Sequence, residues 1–331
     1  MALAFKEVWK DSGVDIGYAP EHQDAIMVPS DGANLLLLEG AGAQLKIKAD
    51  SHYMVKELGA GNKAAIKTAL REVPELAMRS KAEDATSLIR LVPWIGDALG
   101  DQLVASFPKT RLDEAMQRAK SSGARLLLLE GRRRGFTKLE IQSGNEQASI
   151  LVWVRDIKSV PVHFHFVEDI GPNGKPRQRS KWSAPAAAGW IARLNDIYTP
   201  QANITFKLES AFSYPVKQTL PDSIGIADWP KLGTRSAGAG QAHIYLVGNW
   251  RSNDSDPLGA MIKATREIVV DDQNMPDELV KTLAHELGHF LGASSNFGHP
   301  DPGKKHFLMT TVNWRAGAHI PQQHAQYFNG I

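Results

Sequence analysis

A chain of 331 residues, 43% apolar and 22% charged, has room for two or three domains with cores of their own. Its net charge of +2 gives no argument for a nucleic-acid partner, and none is expected. The absence of cysteine excludes disulfides, thiolate zinc ligands, a cysteine nucleophile and latency through a cysteine on a metal.

The first residues, 1–17, lack the basic start and long apolar run of a signal peptide. No stretch reaches the roughly eighteen to twenty apolar residues of a membrane span. The nearest, 88–103, is interrupted by Arg90, Pro93, Asp97 and Asp101. The expectation is a chain without a stable membrane span, either intracellular or exported by a leaderless or effector route.

Residues 1–58 read as a β-rich module. Its clearest strand is Asn34–Leu38, and Leu45–Lys48 alternates apolar and charged residues as a half-buried strand does. The block recurs: GANLLLLEG at 32–40 is matched by GARLLLLEG at 123–131, each followed by a second short strand, LKI at 45–47 and LEI at 139–141. The repeat predicts two related small modules in tandem, 1–58 and 122–158. The segment between them, 59–121, carries helical periodicity over 64–78 and 110–120 and is expected to be a helical packing layer. Arg132–Arg134 read as a solvated hairpin tip.

The last domain is expected over 159–331, in the order β-α-β-β-β-α. Strands are predicted at Val162–Val167, Asn203–Leu208, His243–Val247 and Glu267–Asp271. Helices are predicted at Ser183–Tyr198, with Ser183 as N-cap, and at Pro276–Leu291, with Pro276 at its start. The fold class is α+β. His163 and His165 share one face of their strand and are read as sheet-face residues. The acidic groups Asp254–Asp256 and Asp271–Asp272 are of the type that binds Ca2+, but they lack EF-hand spacing.

The second helix carries His285, Glu286 and His289 as H-E-x-x-H. Residues i and i+4 lie on one helix face, so both imidazoles can meet one Zn2+. Glu286, about 100° further round, lies beside the metal, where a base can take a proton from water. Catalytic zinc takes three protein ligands, and imidazole is a preferred donor. The third ligand is sought in the loop beyond, where His299 is favoured, Asp301 is the alternative, and His306 remains open.

From Val162 to the end, the chain resembles the metzincin clan of zinc metallopeptidases. The resemblance rests on the H-E-x-x-H-x-x-G run ending at Gly292, on Met309 within Phe307–Thr311, on a closing helix at Pro321–Phe328, and on the order of strands and helices. Gly292 stands where the family's chain turns back, a place that suits a left-handed glycine. The sequence departs from the family at Ser295, where the third ligand normally falls. The resemblance implies a zincin-like domain, one catalytic zinc, a Met-turn at Met309, and an edge strand that pairs with an extended substrate. That edge strand is assigned to His243, Ile244, Tyr245 and Leu246.

These readings converge on a zinc-dependent endopeptidase with protein or peptide substrates, secreted or injected as an effector toxin. Its N-terminal half would serve in targeting, docking or inhibitory contact with the site. Two alternatives stay open: a zinc hydrolase of peptidoglycan cross-links, and a binding or adhesion protein whose zincin domain is inert.

Overall fold

The computed structural model describes residues 2–7, 25–30, 33–42, 44–48, 50–57, 117, 119–171, 173–216, 219–221, 223–232, 240–250, 258–272, 276–292, 298–299, 307–310 and 317–329. Nearly all of the expected helical layer at 59–121 lies outside them. So do Asp254–Asp256, Ser295, Asp301, His306 and Thr311. Among the described residues, no helix is long and apolar enough to cross a membrane. The chain resolves into two compact units, one built mainly from Met1–Lys158 and the other mainly from residues 159–198, 204–320 and 324–331.

In the first unit the strands are β1 (Ala4–Glu7), β2 (Ala25–Pro29), β3 (Ala33–Glu39), β4 (Lys46–Ile47), β5 (Tyr53–Glu57), β6 (Arg125–Gly131), β7 (Gly135–Ser143) and β8 (Glu146–Arg155). They form two four-stranded sheets, ordered β1-β3-β6-β5 and β2-β8-β7-β4. Both sheets feed one apolar cluster, with Leu36, Leu38, Leu127 and Leu129 from the first and Ile26, Val28, Leu139, Ile141, Val152 and Val154 from the second.

This corrects the expectation of two tandem modules. The two repeat copies pair with each other inside one sandwich. β3 runs antiparallel to β6, and Leu36 lies opposite Leu127, its own counterpart in the repeat. Likewise Ile47 in β4 lies opposite its counterpart Ile141 in β7. A local two-fold relation therefore holds at these two strand pairs. Leu35, Leu37, Leu126 and Leu128, on the opposite face of the β3–β6 pair, are buried too. Burial on both faces is why these strands read as unbroken leucine runs rather than as alternation.

The second unit contains β9 (Lys158–Ile170), β10 (Pro176–Arg179), α1 (Ala184–Ala202), β11 (Ile204–Val216), a 3-10 turn (Ile226–Leu232), β12 (Ala242–Val247), β13 (Gly259–Ile262), β14 (Glu267–Asp271), α2 (Pro276–Leu291) and α3 (Gln322–Asn329). β10 and β13 were not expected from the sequence. The sheet order is β10-β9-β12-β14-β13, with β11 also on β9. β9, β12 and β14 are parallel, and β13 closes the sheet antiparallel to β14.

This order overturns the edge-strand assignment. β12 pairs with β9 on one side, His243 opposite His163, and with β14 on the other, Tyr245 opposite Val269. Both of its hydrogen-bonding edges are used, so His243, Ile244, Tyr245 and Leu246 cannot take up a substrate strand. The strand that ends this side of the sheet is β13.

The strand period of two sorts the faces. Phe164 and Phe166 turn to Trp190 of α1. Val167, Tyr245, Val247 and Val269 turn the other way, into a cluster with Trp229, Leu232 and Trp250. On that second face Glu267, fully buried, accepts bonds from the Tyr245 hydroxyl at 3.0 Å and the Trp229 indole at 3.2 Å. α2 packs on β13 and β14, and the Tyr198 hydroxyl of α1 donates to the Ala284 carbonyl at 2.6 Å.

Candidate metal centre

α2 is apolar on most of its circumference, with Leu279, Leu283, Ala284, Leu287 and Phe290 all buried. Its polar residues are therefore placed for a reason other than solvation. His285 is fully buried, Glu286 nearly so, and His289 half-buried.

The Nε2 atoms of His285 and His289 stand 3.1 Å apart, as the i, i+4 spacing requires. His299, from the segment beyond the helix, brings its Nε2 to 3.0 Å from that of His285 and 3.3 Å from that of His289. Zinc held tetrahedrally at about 2.0–2.1 Å from each nitrogen needs nitrogens roughly 3.3 Å apart. The triangle matches that requirement closely. Its tautomers are set from outside: His285 Nδ1 lies 2.7 Å from the Leu308 carbonyl, to which it can only donate. That leaves the lone pair of its Nε2 directed into the triangle. Three imidazole nitrogens converging at one point cannot satisfy one another by hydrogen bonds, so their common complement is a cation.

These three histidines form the one group of at least three His, Cys, Asp or Glu ligand atoms close enough to share an ion among the described residues. The structure thus brings His299 to the pair on the helix, while Asp301 and His306 lie outside the described residues. His285 is buried and the other two ligands are half-buried, so the centre opens on the side of His289 and His299.

Met309 is fully buried in the turn Phe307–Thr310. That turn is tied down by Leu308 N–H to the His319 carbonyl at 2.8 Å. A Cβ placed on Gly288 would lie 2.3 Å from Met309 Sδ. Gly288 is thus the position on α2 that lets the thioether lie against the helix between the two ligands. One turn therefore supplies both the carbonyl that orients His285 and the sulfur packed under the helix. Gly292 N–H bonds to the Gly288 carbonyl at 3.0 Å, continuing the helical pattern. It is not among the positive-φ glycines, which are Gly40, Gly123, Gly144, Gly174 and Gly240 among the described residues. The left-handed turn expected there is not formed at this residue.

His163, His165 and His243 gather on the other sheet face, as a strand-face reading implies. His165 Nε2 is 3.0 Å from His243 Nδ1, His163 stacks on His243 with ring centroids 4.5 Å apart, and His163 Nδ1 meets Ser210 Oγ at 2.8 Å. The acidic pair is committed to the backbone. Asp271 accepts from Trp250 N–H at 2.9 Å and Asp272 from Lys181 N–H. Burial pushes the Asp272 carboxyl above the usual range.

No protein-family model matches the chain, and no curated protein matches it. Among solved structures, it is similar to an archaemetzincin from Methanopyrus kandleri at 14% identity. That match covers 52% of this chain and 94% of that one, with a TM-score of 0.35. It is also similar to a zinc-dependent peptidase from Methanocorpusculum labreanum at 11% identity, covering 51% of this chain and 100% of that one, with a TM-score of 0.32. Both scores lie below the level that shows a shared fold, so the chemistry is argued from the side chains.

Proposed function

We propose that the chain is a zinc-dependent endopeptidase of the metzincin type, acting on protein substrates. The observation that carries this reading is the convergence of His285, His289 and His299 Nε2 within 3.3 Å of one another, with Glu286 adjacent on the same helix. Zinc, when bound, polarises the scissile carbonyl and makes water acidic enough to attack near neutral pH. The imidazoles hold the ion, and the Leu308 carbonyl keeps His285 in its ligating tautomer. Glu286 takes the proton of the attacking water and returns it to the leaving amine nitrogen. Its burial excludes bulk water from that transfer. Met309 acts as the base of a Met-turn under the ligand pair.

An extended substrate adds to the edge of the sheet at β13, in place of the central β12. This strand pairs only with β14 among the described residues, and it lies against α2 beside Glu286.

The test is metal analysis with casein hydrolysis on wild type, Glu286→Gln, His299→Ala and Asp301→Ala. Wild type should hold one zinc per chain and cleave casein. Glu286→Gln should keep the zinc and lose at least about a hundredfold in rate. His299→Ala should lose zinc and Asp301→Ala should keep it. A wild type without zinc, or a fully active Glu286→Gln, would sink the reading.

A further inference from the structure

We propose that Gly259 is a positioning residue. By bringing no side chain to β13, it sets how close the edge strand, and a peptide paired to it, lies to Glu286. The inference rests on the peptidase reading above and adds a determinant of its geometry.

β13 is a four-residue strand, GAMI, antiparallel to β14 with Gly259 opposite Val270. Ala260 and Ile262 pack into the cluster around Trp229 and Tyr245, on the sheet face away from α2. Alternation turns Gly259 to the α2 side. There a Cβ would meet Thr282 Cγ2 at 3.1 Å and Glu286 Cγ at 3.2 Å, with the Val269 carbonyl oxygen at 3.0 Å. Thr282 and Glu286 are four residues apart, one helical turn, and together make a wall against which the strand backbone rests directly. Glycine inside a strand commonly marks such a close approach.

The wall cannot yield easily. Thr282 is fully buried and Glu286 nearly so. α2 is held by Tyr198 on Ala284 and by Arg266 Nη2 on the Phe290 carbonyl at 3.0 Å. Val269 belongs to β14, which pairs on both sides. The element free to move is β13 itself.

Thr282 adds a second, independent sign. Its hydroxyl is buried without a hydrogen-bond partner among the described residues. Its Cγ2 methyl is the part that meets β13. The spacing of strand from helix is thus set by a methyl on one side and a missing side chain on the other. A peptide added to β13 inherits that spacing, because ladder hydrogen bonds fix the distance from strand to strand. A displacement of order 1 Å at the reacting carbonyl costs about a hundredfold in rate, and contacts of 3.0–3.2 Å call for a shift of a few tenths of an ångström, with a correspondingly smaller loss.

The test uses the zinc-loaded full chain and an internally quenched decapeptide taken from a site that wild type cleaves in casein. Gly259→Ala should keep one zinc per chain and lower kcat by about threefold to tenfold, with KM changed less than about twofold. In a Glu286→Gln background, the same substitution should leave the Kd for the decapeptide within about threefold of its parent. Thr282→Val, which keeps the methyl, is the isosteric control, and Thr282→Ser, which removes the methyl without adding a clash, should lower kcat less than Gly259→Ala does. Gly259→Ala/Thr282→Ser should recover several-fold of the lost kcat. If Gly259→Ala does not fold, the double variant is compared with Thr282→Ser and should still be slower. Wild-type kcat in Gly259→Ala, a loss lying wholly in KM, or no recovery in the double variant would each overturn the proposal. A wild type without zinc, or an active Glu286→Gln, overturns it by removing the peptidase reading beneath it. Failure of the Gly259 variants alone leaves that reading standing.

Discussion

Gly288 sits where two opposing effects can be compared by size. Glycine inside a helix costs about 1 kcal/mol relative to alanine, so Gly288→Ala in isolation would stabilise α2. The added Cβ would instead lie 2.3 Å from Met309 Sδ and 3.2 Å from Phe328 Cζ, both on fully buried residues. Overpacking of a closed core costs about 1–3 kcal/mol, which exceeds the helical gain. Gly288→Ala should therefore lower the stability of the zinc-free protein by up to about 2 kcal/mol in chemical denaturation. It should also weaken zinc retention in competition with a chelator, because the displaced thioether packs on α2 at Gly288, which lies between His285 and His289 in sequence. Unchanged or increased stability in the zinc-free protein would show that Met309 moves aside at no cost.

The pairing of β3 with β6 makes a prediction about elements. Leu36 and Leu127 are fully buried, directly opposite each other, and equivalent in the repeat. Each change to alanine should cost about 2–5 kcal/mol, with the two costs similar to each other. Because the two truncations open one shared cavity, the double variant should cost measurably less than their sum. Urea denaturation of the four proteins decides it, and additive losses would mean that the two side chains do not share a site. The strands themselves were legible from the leucine runs and their flanking glycines. Their partnership was not, because a repeat shows similarity and carries no information on adjacency. The same limit explains β12. Its residues were read correctly as a strand, but its place in the sheet depends on β9 and β14, which are distant in sequence. The edge assignment came from the family resemblance, and His243 is a residue of the central strand. In the fold it is answered by His165 and His163 from β9. β13 was missed because four residues of GAMI show neither alternation nor length. The convergence of His285 and His289 was the most legible part of the candidate site, since H-E-x-x-H fixes two imidazoles by helical geometry alone. His299 was reached from the family's third-ligand position, vacated at Ser295, together with the preference of zinc for imidazole.

Across the whole molecule, Asp50 in the first unit and Asp272 in the second should respond to acid with opposite signs. In the first, burial of Asp50 works to raise its pKa. Hydrogen bonds from the Thr137 hydroxyl at 2.6 Å, the His52 N–H at 2.7 Å and the His52 ring at 2.8 Å outweigh it, and the carboxyl is held below the usual range. A depressed folded pKa gives stability that is present above the ordinary aspartate value, about 3.9, and is lost as pH falls through the lower folded value. Asp156 behaves alike, with Ser30 and Arg134 bonded to it. In the second unit, burial raises the Asp272 carboxyl. There the folded state binds the proton more tightly than the unfolded chain, so stability falls as pH rises from about 3.9 through the folded value. Acidification from neutrality should therefore first relieve the cost of burying the Asp272 charge and only below about pH 4 remove the contribution of Asp50. Asp272→Asn should raise the stability of the chelator-treated protein at pH 7 and lose that advantage at pH 4. Asp50→Asn should lower stability at pH 7 and flatten its decline below pH 4. Comparing each variant with wild type by calorimetry cancels the titration of the metal-site imidazoles common to both. An Asp272→Asn protein less stable than wild type at pH 7 would mean that the bonds to Lys181 and Ser180 outweigh the cost of burying the charge.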